Sequence, residues 1–145
     1  MGELKAIWLK RMKGGPMDPV AQASLKAGRG LVGNANQGGK RQVTIISQGV
    51  WENRTALLGV DLDPSKRRAN LLVSDDIDLA DSRSQILRIG DCRIRIYGET
   101  KPCELMDEAA PGLREMLRDN WGGGAFGEVL DDGEIVVGDA VVWEK

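Results

Sequence analysis

The segment "QILRIGDCRIRIYGE" (residues 85–99) carries the clearest structural signal in this sequence. Between Cys92 and Tyr97, apolar residues alternate with two arginines and a tyrosine, and a period of two is typical of a half-buried β-strand. The preceding Gly90-Asp91 pair predicts a tight turn. Because Cys92 is in phase with two isoleucines, we interpret it as a core residue that behaves as a small hydrophobe.

Short apolar segments and frequent turns continue along the rest of the chain, which contains 19 glycines. We predict strands at 4–10, 41–47, 71–74 and within 133–145, and an Asp-Gly hairpin turn at 132–133. Helices are predicted at 20–27, at 48–58 after a capping Ser47, at 103–108 and at 112–120. This pattern favours a mainly β fold, an antiparallel β-barrel with a few short helices. With 145 residues, we expect a single domain over residues 1–145.

Composition and charge exclude several function classes. The net charge of −2 gives no general attraction to nucleic acid or to an acidic membrane surface. No apolar run approaches the roughly 18 residues of a membrane span, and the charged N-terminal segment predicts neither a signal peptide nor an anchor. We therefore expect a cytoplasmic protein. The chain has no histidine, which excludes Ser-His-Asp and Cys-His chemistry within it and leaves thiols, carboxylates, lysines or a bound cofactor.

The second cysteine lies in "GETKPCELMDE" (98–108), outside any strand pattern. Pro102 suits the first position of a helix, so we expect Cys103 in the first helical turn, where a thiolate is favoured. Lys101 adds a positive charge, whereas the acidic residues that follow act against it. From these residues alone, a reactive and a purely structural thiol are equally well supported.

Basic residues accompany three predicted loops, as "KRQ" (40–42), "KRR" (66–68) and Lys101. Brought together they form an anion site, and apart they are solvated surface charge. The segment "WGGGAFG" (121–127) offers backbone amides to a phosphate but lacks the lysine and hydroxyl residue of a P-loop. The glycine-rich segment 28–40 predicts a long loop.

Four phrases occur in a characteristic order: "GGKRQVTIIS" (38–47), "LGVDLDPSKRRANLLVSDDIDL" (58–79), "LRIGDCRIRIYGETKPCELMDE" (87–108) and "GGGAFGEVLDDGEIVVGDAVVW" (122–143). Over roughly residues 28–143 the chain resembles a stand-alone MOSC domain, named after the C-terminal part of molybdenum-cofactor sulfurases. The resemblance implies a β-barrel and an essential cysteine at the Pro-Cys position, which is Cys103. That cysteine is expected to carry sulfur as a persulfide or to ligate the molybdenum of a molybdopterin cofactor.

The resemblance also marks residues that would bind the cofactor. The "RRAN" phrase (67–70) matches the family's "RRN" with one residue inserted, and Arg41 matches the arginine before "QVTL". The family's "GDRH"-like loop is here "GNANQ" (33–37), in which Asn34 remains a candidate ligand contact. The predicted cofactor-binding residues are Arg41, Arg67, Arg68, Asn70, Lys101, Gly123 and Gly124.

These observations lead to two classes of function. In the first, the chain binds the molybdenum cofactor or carries sulfur on Cys103, and one variant reduces N-hydroxylated substrates with electrons from an external donor protein. In the other variant, the chain is itself a sulfur donor with no redox turnover of its own, and its expected partner is a sulfur-donor protein. The alternative class is a non-catalytic binding module for a phosphorylated small molecule or a protein partner. The family is also associated with pyridoxal phosphate binding.

Overall fold

The computed structural model describes residues 2–144, which form eleven strands and three α-helices. The strands are β1 (Gly2–Lys10), β2 (Met17–Val20), β3 (Gln22–Lys26), β4 (Gly30–Leu31), β5 (Val43–Ser47), β6 (Leu71–Val73), β7 (Ile86–Ile89), β8 (Cys92–Glu99), β9 (Ala125–Val129), β10 (Gly133–Val136) and β11 (Ala140–Trp143). The helices are α1 (Gln48–Leu58), α2 (Glu104–Ala109) and α3 (Leu113–Met116), and Pro64–Arg67 and Asp119–Trp121 form short 3-10 helices.

Seven strands close into a barrel. Their order is β11-β7-β8-β9-β5-β6-β1, and the barrel closes where Gly2 and Glu3 of β1 pair with Val141 and Ala140 of β11. Strand β2 adds to the far end of β1 beyond this ring. Closure pairs the edges that an open sheet would expose, so the predicted β-barrel with few short helices is confirmed.

The barrel is mixed, and the expectation of a purely antiparallel barrel was wrong. Strands β5 and β6 run parallel, with Ile45 opposite Leu71 and Ser47 opposite Val73. Parallel neighbours need a crossover connection, which is usually a helix. Here α1 and the 3-10 helix at Pro64–Arg67 supply that crossover. The sequence predicted the helix but did not indicate that the strands on either side of it pair.

The segment that opened the sequence analysis forms the β7–β8 hairpin, as predicted. Cys92 lies opposite Ile89, and Gly90 in the turn has a positive φ of 56°. Cys92, Ile94 and Ile96 point into the barrel core and are almost fully buried. The period of two therefore identified the core face of this strand correctly.

A second, three-stranded sheet overturns two local predictions. Residues predicted as helix at 20–27 form β3, in which Ala23 and Leu25 are buried between more exposed neighbours. Instead of forming a hairpin with β9, β10 pairs with β3, so that Gly133 lies opposite Leu25. Tertiary pairing outweighs the weak helix propensity of such a short segment.

The helices cover a small core outside the barrel, formed by Trp51, Met106, Ala110, Leu113 and Leu117. Helix α1 has its predicted bounds, whereas the α-helix predicted at 112–120 ends at Met116. Beyond the end of this helix, Asn120 and Trp121 adopt positive φ, and the chain continues to β9. Among residues 2–144, no helix has the length and apolar character needed to cross a membrane.

Candidate functional site

A cleft of about 680 Å³, including the part open to solvent, lies where β1, β5, β6 and the segments before α2 and β9 meet. Both polar and apolar residues line it. Its lining consists of Lys10, Asn34, Asn36, Arg41, Thr44, Arg67, Arg68, Asn70, Thr100 and Cys103, with Met17, Ala69, Leu105, Met106 and Gly123.

The charges that line the cleft are all positive. They belong to Lys10, Arg41, Arg67 and Arg68, and no carboxylate lies among the lining residues. Within residues 2–144, none of these four side chains takes part in an ion pair. Like charges held together without counter-charges repel one another, and a bound anion relieves that repulsion. The cleft is therefore suited to an anionic ligand.

Arg67 organises the wall of the cleft. Its side chain is only 7% exposed; its Nε donates to the Gly123 carbonyl oxygen at 2.9 Å and its Nη2 donates to the Thr100 carbonyl oxygen at 3.0 Å. Burial lowers the pKa of Arg67, while the charge of Cys103 acts in the opposite direction. The guanidinium still carries its proton at any physiological pH. Arg67 thus joins the segment that precedes Cys103 to the glycine segment before β9.

Cys103 lies immediately before the N-terminus of α2 and outside the helix itself. Its extended backbone (φ −122°) makes it the residue that caps the helix, and its carbonyl oxygen accepts a hydrogen bond from the Met106 N–H at 2.9 Å. The expectation that Pro102 opens the helix and Cys103 lies in its first turn was wrong, since the helix begins at Glu104. The thiol is half-buried and lines the cleft together with Arg67, and the charge of Cys103 partly offsets the lowering of the Arg67 pKa by burial.

Asn70 connects three elements beside the cations. Its Nδ2 donates to the Trp8 carbonyl oxygen and to the Asn34 Oδ1, each at 3.1 Å. Its Oδ1 accepts hydrogen bonds from the backbone N–H and the hydroxyl of Thr44. This network fixes the position of Asn34, whose Oδ1 also accepts a hydrogen bond from the Lys10 backbone N–H at 2.9 Å. Asn70 therefore acts chiefly through the residues that it positions.

Two buried polar atoms in the cleft lack a partner among the described residues. These are the Asn34 Nδ2 and the Thr100 Oγ1, on side chains that are 5% and 8% exposed. Leaving a buried polar group without a hydrogen bond costs on the order of 1–3 kcal/mol, so such groups are rare in folded proteins. Both residues line the same cleft. A ligand with hydrogen-bonding groups would satisfy them.

The structure brings together most of the predicted site residues and separates two. The cleft unites Arg41, Arg67, Arg68, Asn70, Gly123 and Cys103. Lys101 lies outside it, over a neighbouring hollow that is lined by Glu99, Pro102, Arg114 and Arg118. Gly124 also lies outside, because its backbone packs closely against the Ile45 carbonyl group.

Several lining residues were missed in the sequence, notably Lys10, Thr44 and Thr100. A usable signal existed for Thr44, which is a hydroxyl residue within the otherwise apolar run "VTII". Lys10 gave no such signal, since a lysine after an apolar strand is common on protein surfaces.

Fold and site together define a closed, mixed β-barrel protein with a positively charged cleft that contains a thiol. Residues 12–142 match the MOSC domain family, and the chain belongs to this family, which is associated with molybdenum-cofactor binding. None of the curated proteins matches the sequence.

Solved structures share the fold. The YuaD protein from Bacillus subtilis superposes with a TM-score of 0.80 at 18% identity, covering 97% of this chain and 94% of the other. YiiM from Geobacillus stearothermophilus gives 0.75 at 13% identity, covering 100% and 76%. YiiM from Escherichia coli gives 0.72 at 13% identity, covering 99% and 70%. At these identities the likeness concerns the fold alone.

Proposed function

We propose that the chain binds a molybdenum cofactor in this cleft and that Cys103 supplies a thiolate ligand to the metal. The observation that carries the proposal is the combination, in one cleft, of four unpaired cations, a thiol and no carboxylate. Thiolates are soft ligands and suit such a metal, whereas a phosphate-bearing pterin is anionic and needs donors.

The residues present fit such a group. Arg41 and Arg68 offer charged donors to a phosphate, and the free Nδ2 of Asn34 offers a donor to an oxygen acceptor. Met17 and Leu105 give an apolar surface for a ring system. All charged side chains in the lining are donors, as binding of an anionic cofactor requires.

Gly123 keeps the wall of the cleft close to Arg67. A Cβ atom at this position would lie 2.9 Å from the Arg67 Nη2 and would also collide with the Thr100 carbonyl oxygen. The glycine therefore lets the backbone approach the guanidinium and accept its hydrogen bond. In the proposed function, this contact keeps a positive charge beside the Cys103 thiolate.

When bound, the cofactor would supply the redox chemistry, and the chain would position it and its substrate. We extend the proposal to the reduction of N-hydroxylated compounds with electrons from an external donor protein, since the sequence has no flavin, haem or iron–sulfur signature. Arg67 would stabilise the negative charge of the thiolate, and the apolar residues that line the cleft would exclude water.

A second candidate is sulfur transfer. It is supported by the partial exposure of Cys103, which would let a sulfur-donor protein reach the thiol, and by the positive charge of Arg67 in the same cleft. The third candidate is a non-catalytic module that holds a phosphorylated small molecule on the cations and makes no use of the thiol.

Elemental analysis of the purified protein separates these functions, with Cys103→Ser compared against Cys92→Ala as the matched control. For cofactor binding, the wild type and Cys92→Ala contain molybdenum, and Cys103→Ser loses at least about 90% of it, since loss of a metal ligand weakens binding strongly. An extra sulfur atom on Cys103 in the mass spectrum, without molybdenum, supports sulfur transfer instead. Neither element, with phosphate-ester binding unchanged in Cys103→Ser, supports the binding module.

A further inference from the structure

The cleft contains few groups that exchange protons. Arginine keeps its proton at any accessible pH, and the chain has neither a histidine nor, in the lining of this cleft, a carboxylate. Only Lys10 and Cys103 remain as titratable residues of the lining. The proposed function already uses Cys103 as a ligand, so Lys10 is the one remaining acid.

The position of Lys10 differs from that of an ordinary surface lysine. It is the last residue of β1, and its backbone N–H donates to the buried Asn34 side chain. Two lysines, Lys26 and Lys5, approach carboxylates at 3.2 Å and 4.0 Å, whereas Lys10 lines a cleft that has no carboxylate in its lining. The Lys10 ammonium makes no ion pair within residues 2–144.

The groups that act on Lys10 come from three parts of the chain. Burial lowers its pKa most, followed by the positive charges of Arg68 at the end of the 3-10 helix, Arg41 before β5 and Lys13 after β1. None of these neighbours is acidic. An ammonium that is desolvated and surrounded by cations releases its proton more readily than one in water.

We propose that Lys10 is the proton donor of the cleft. This inference rests on the proposed function, because it assigns to Lys10 a step in the reduction of an N-hydroxylated compound. The reaction breaks the N–O bond, takes two electrons from the external donor protein and two protons, and releases an amine and water. Lys10 gives one proton to the departing hydroxyl oxygen, which leaves as water. The nitrogen takes the other proton from solvent, and solvent then reprotonates the Lys10 amine.

The direction of the pH dependence follows from this role. Donation requires the ammonium form, so turnover is present at low pH and declines as the pH rises through the Lys10 pKa. That decline begins below the value of about 10.4 that is typical of an exposed lysine. A general acid contributes roughly 100-fold or more to the rate.

The first experiment needs no loaded enzyme. Lysines are dimethylated with ¹³C-formaldehyde, and the methyl signals are followed by NMR as the pH is raised. Lys10→Arg identifies the Lys10 signal, and Lys5 on the same strand serves as the internal reference. The proposal predicts that Lys10 titrates at clearly lower pH than Lys5. If the two titrate together, Lys10 is an ordinary surface amine and the proposal is overturned.

The second experiment measures turnover of an N-hydroxylated amidine with dithionite-reduced methyl viologen. Lys10→Arg keeps the positive charge and should keep its molybdenum, yet lose about 100-fold in kcat together with the alkaline decline. Lys5→Arg should match the wild type. A fully active Lys10→Arg with an unchanged pH profile overturns the proposal. If the wild type contains no molybdenum, the proposed function fails. The NMR titration alone then decides whether Lys10 releases its proton more readily than Lys5.

Discussion

Cys92 and Cys103 are the two thiols of one chain, and their surroundings differ in burial and in charge. Cys92 is 1% exposed inside the barrel, and burial, followed by the charges of Asp131, Asp91 and Asp139, raises its pKa. Cys103 lies half-buried at the edge of a cleft that contains only positive charges. The comparison teaches that the position in the fold, rather than the residue type, decides whether a thiol is enclosed in the core or lies beside positive charges in a cleft.

The arginines near the two thiols also differ, because among the described residues only those near Cys92 are paired with carboxylates. Near Cys92, the Arg93 Nε lies 2.9 Å from the Asp131 carboxylate, and Arg88 lies at the same distance from Glu144. Within residues 2–144, the arginines around Cys103 have no carboxylate partner. Exposed paired charges contribute little to stability, whereas unpaired charges in a cleft attract an anion. The region around Cys103 therefore has the character of a binding site.

The largest expected difference between the thiols is their reactivity. In the folded protein, we expect iodoacetamide to alkylate Cys103 at least about 1,000-fold faster than Cys92, because exposing a core residue requires an opening that costs several kcal/mol. Peptide mass spectrometry over time measures both rates. In urea-unfolded protein the rates should converge. Similar rates in the folded state would remove the distinction.

The next effect concerns the residue that holds the segment before Cys103. Arg67→Met leaves the carbonyl oxygens of Thr100 and Gly123 without their buried donor, so we expect the free energy of unfolding to fall by about 2–4 kcal/mol. Arg41 is exposed and lies over the Phe126 ring, and Arg41→Met should cost no more than about 0.5 kcal/mol. Urea denaturation measures both variants. Equal losses of stability would mean that the two hydrogen bonds from Arg67 to the Thr100 and Gly123 carbonyl oxygens do not stabilise the fold.

The smallest effect is the contribution of the Cys92 thiol to the pH dependence of stability. Because burial raises its pKa, the folded protein holds the thiol proton more tightly than the unfolded chain. This contribution is present below the ordinary thiol pKa of about 8.5 and is lost as the pH rises from there through the higher folded-state pKa. Between about pH 8 and 10, the stability of the wild type should thus fall more steeply than that of Cys92→Ala. Urea denaturation of both proteins across this range tests it. Parallel curves for wild type and Cys92→Ala would contradict the prediction.

The parts of the fold that the sequence predicted are those with strong local patterns. The β7–β8 hairpin follows from the alternation after Cys92 and from the Gly90 turn, and α1 begins after Ser47 as expected. Predictions failed where pairing is decided at a distance. Strand β3 is helix-like in sequence but pairs with β10, and β5 lies parallel to β6 across the α1 crossover.

The candidate site shows the same division. The family resemblance marked Cys103, Arg41, Arg67 and Arg68, all of which line the cleft. It did not mark Lys10, which is the last residue of β1 and belongs to no motif. Lys101 looked like the natural partner of Cys103 because it is two residues away, yet it lies over a different hollow. A separation of only two residues along the chain therefore did not place Lys101 in the cleft that contains Cys103.

The sequence by itself determined the class of fold and the core position of Cys92 and marked Cys103 as a candidate site residue, because period-two alternation and ordered phrases are local properties. Only the tertiary structure decided which charges surround Cys103. The pairing of β6 with β1 and β5 places Lys10 and Arg41 in the same cleft as the 67–70 segment, where no carboxylate lies among the lining residues. The Asn34 amide and the Thr100 hydroxyl of this cleft have no partner among the described residues. Electrostatic attraction depends on distance in space, and residues far apart in sequence come close only when the strands pair.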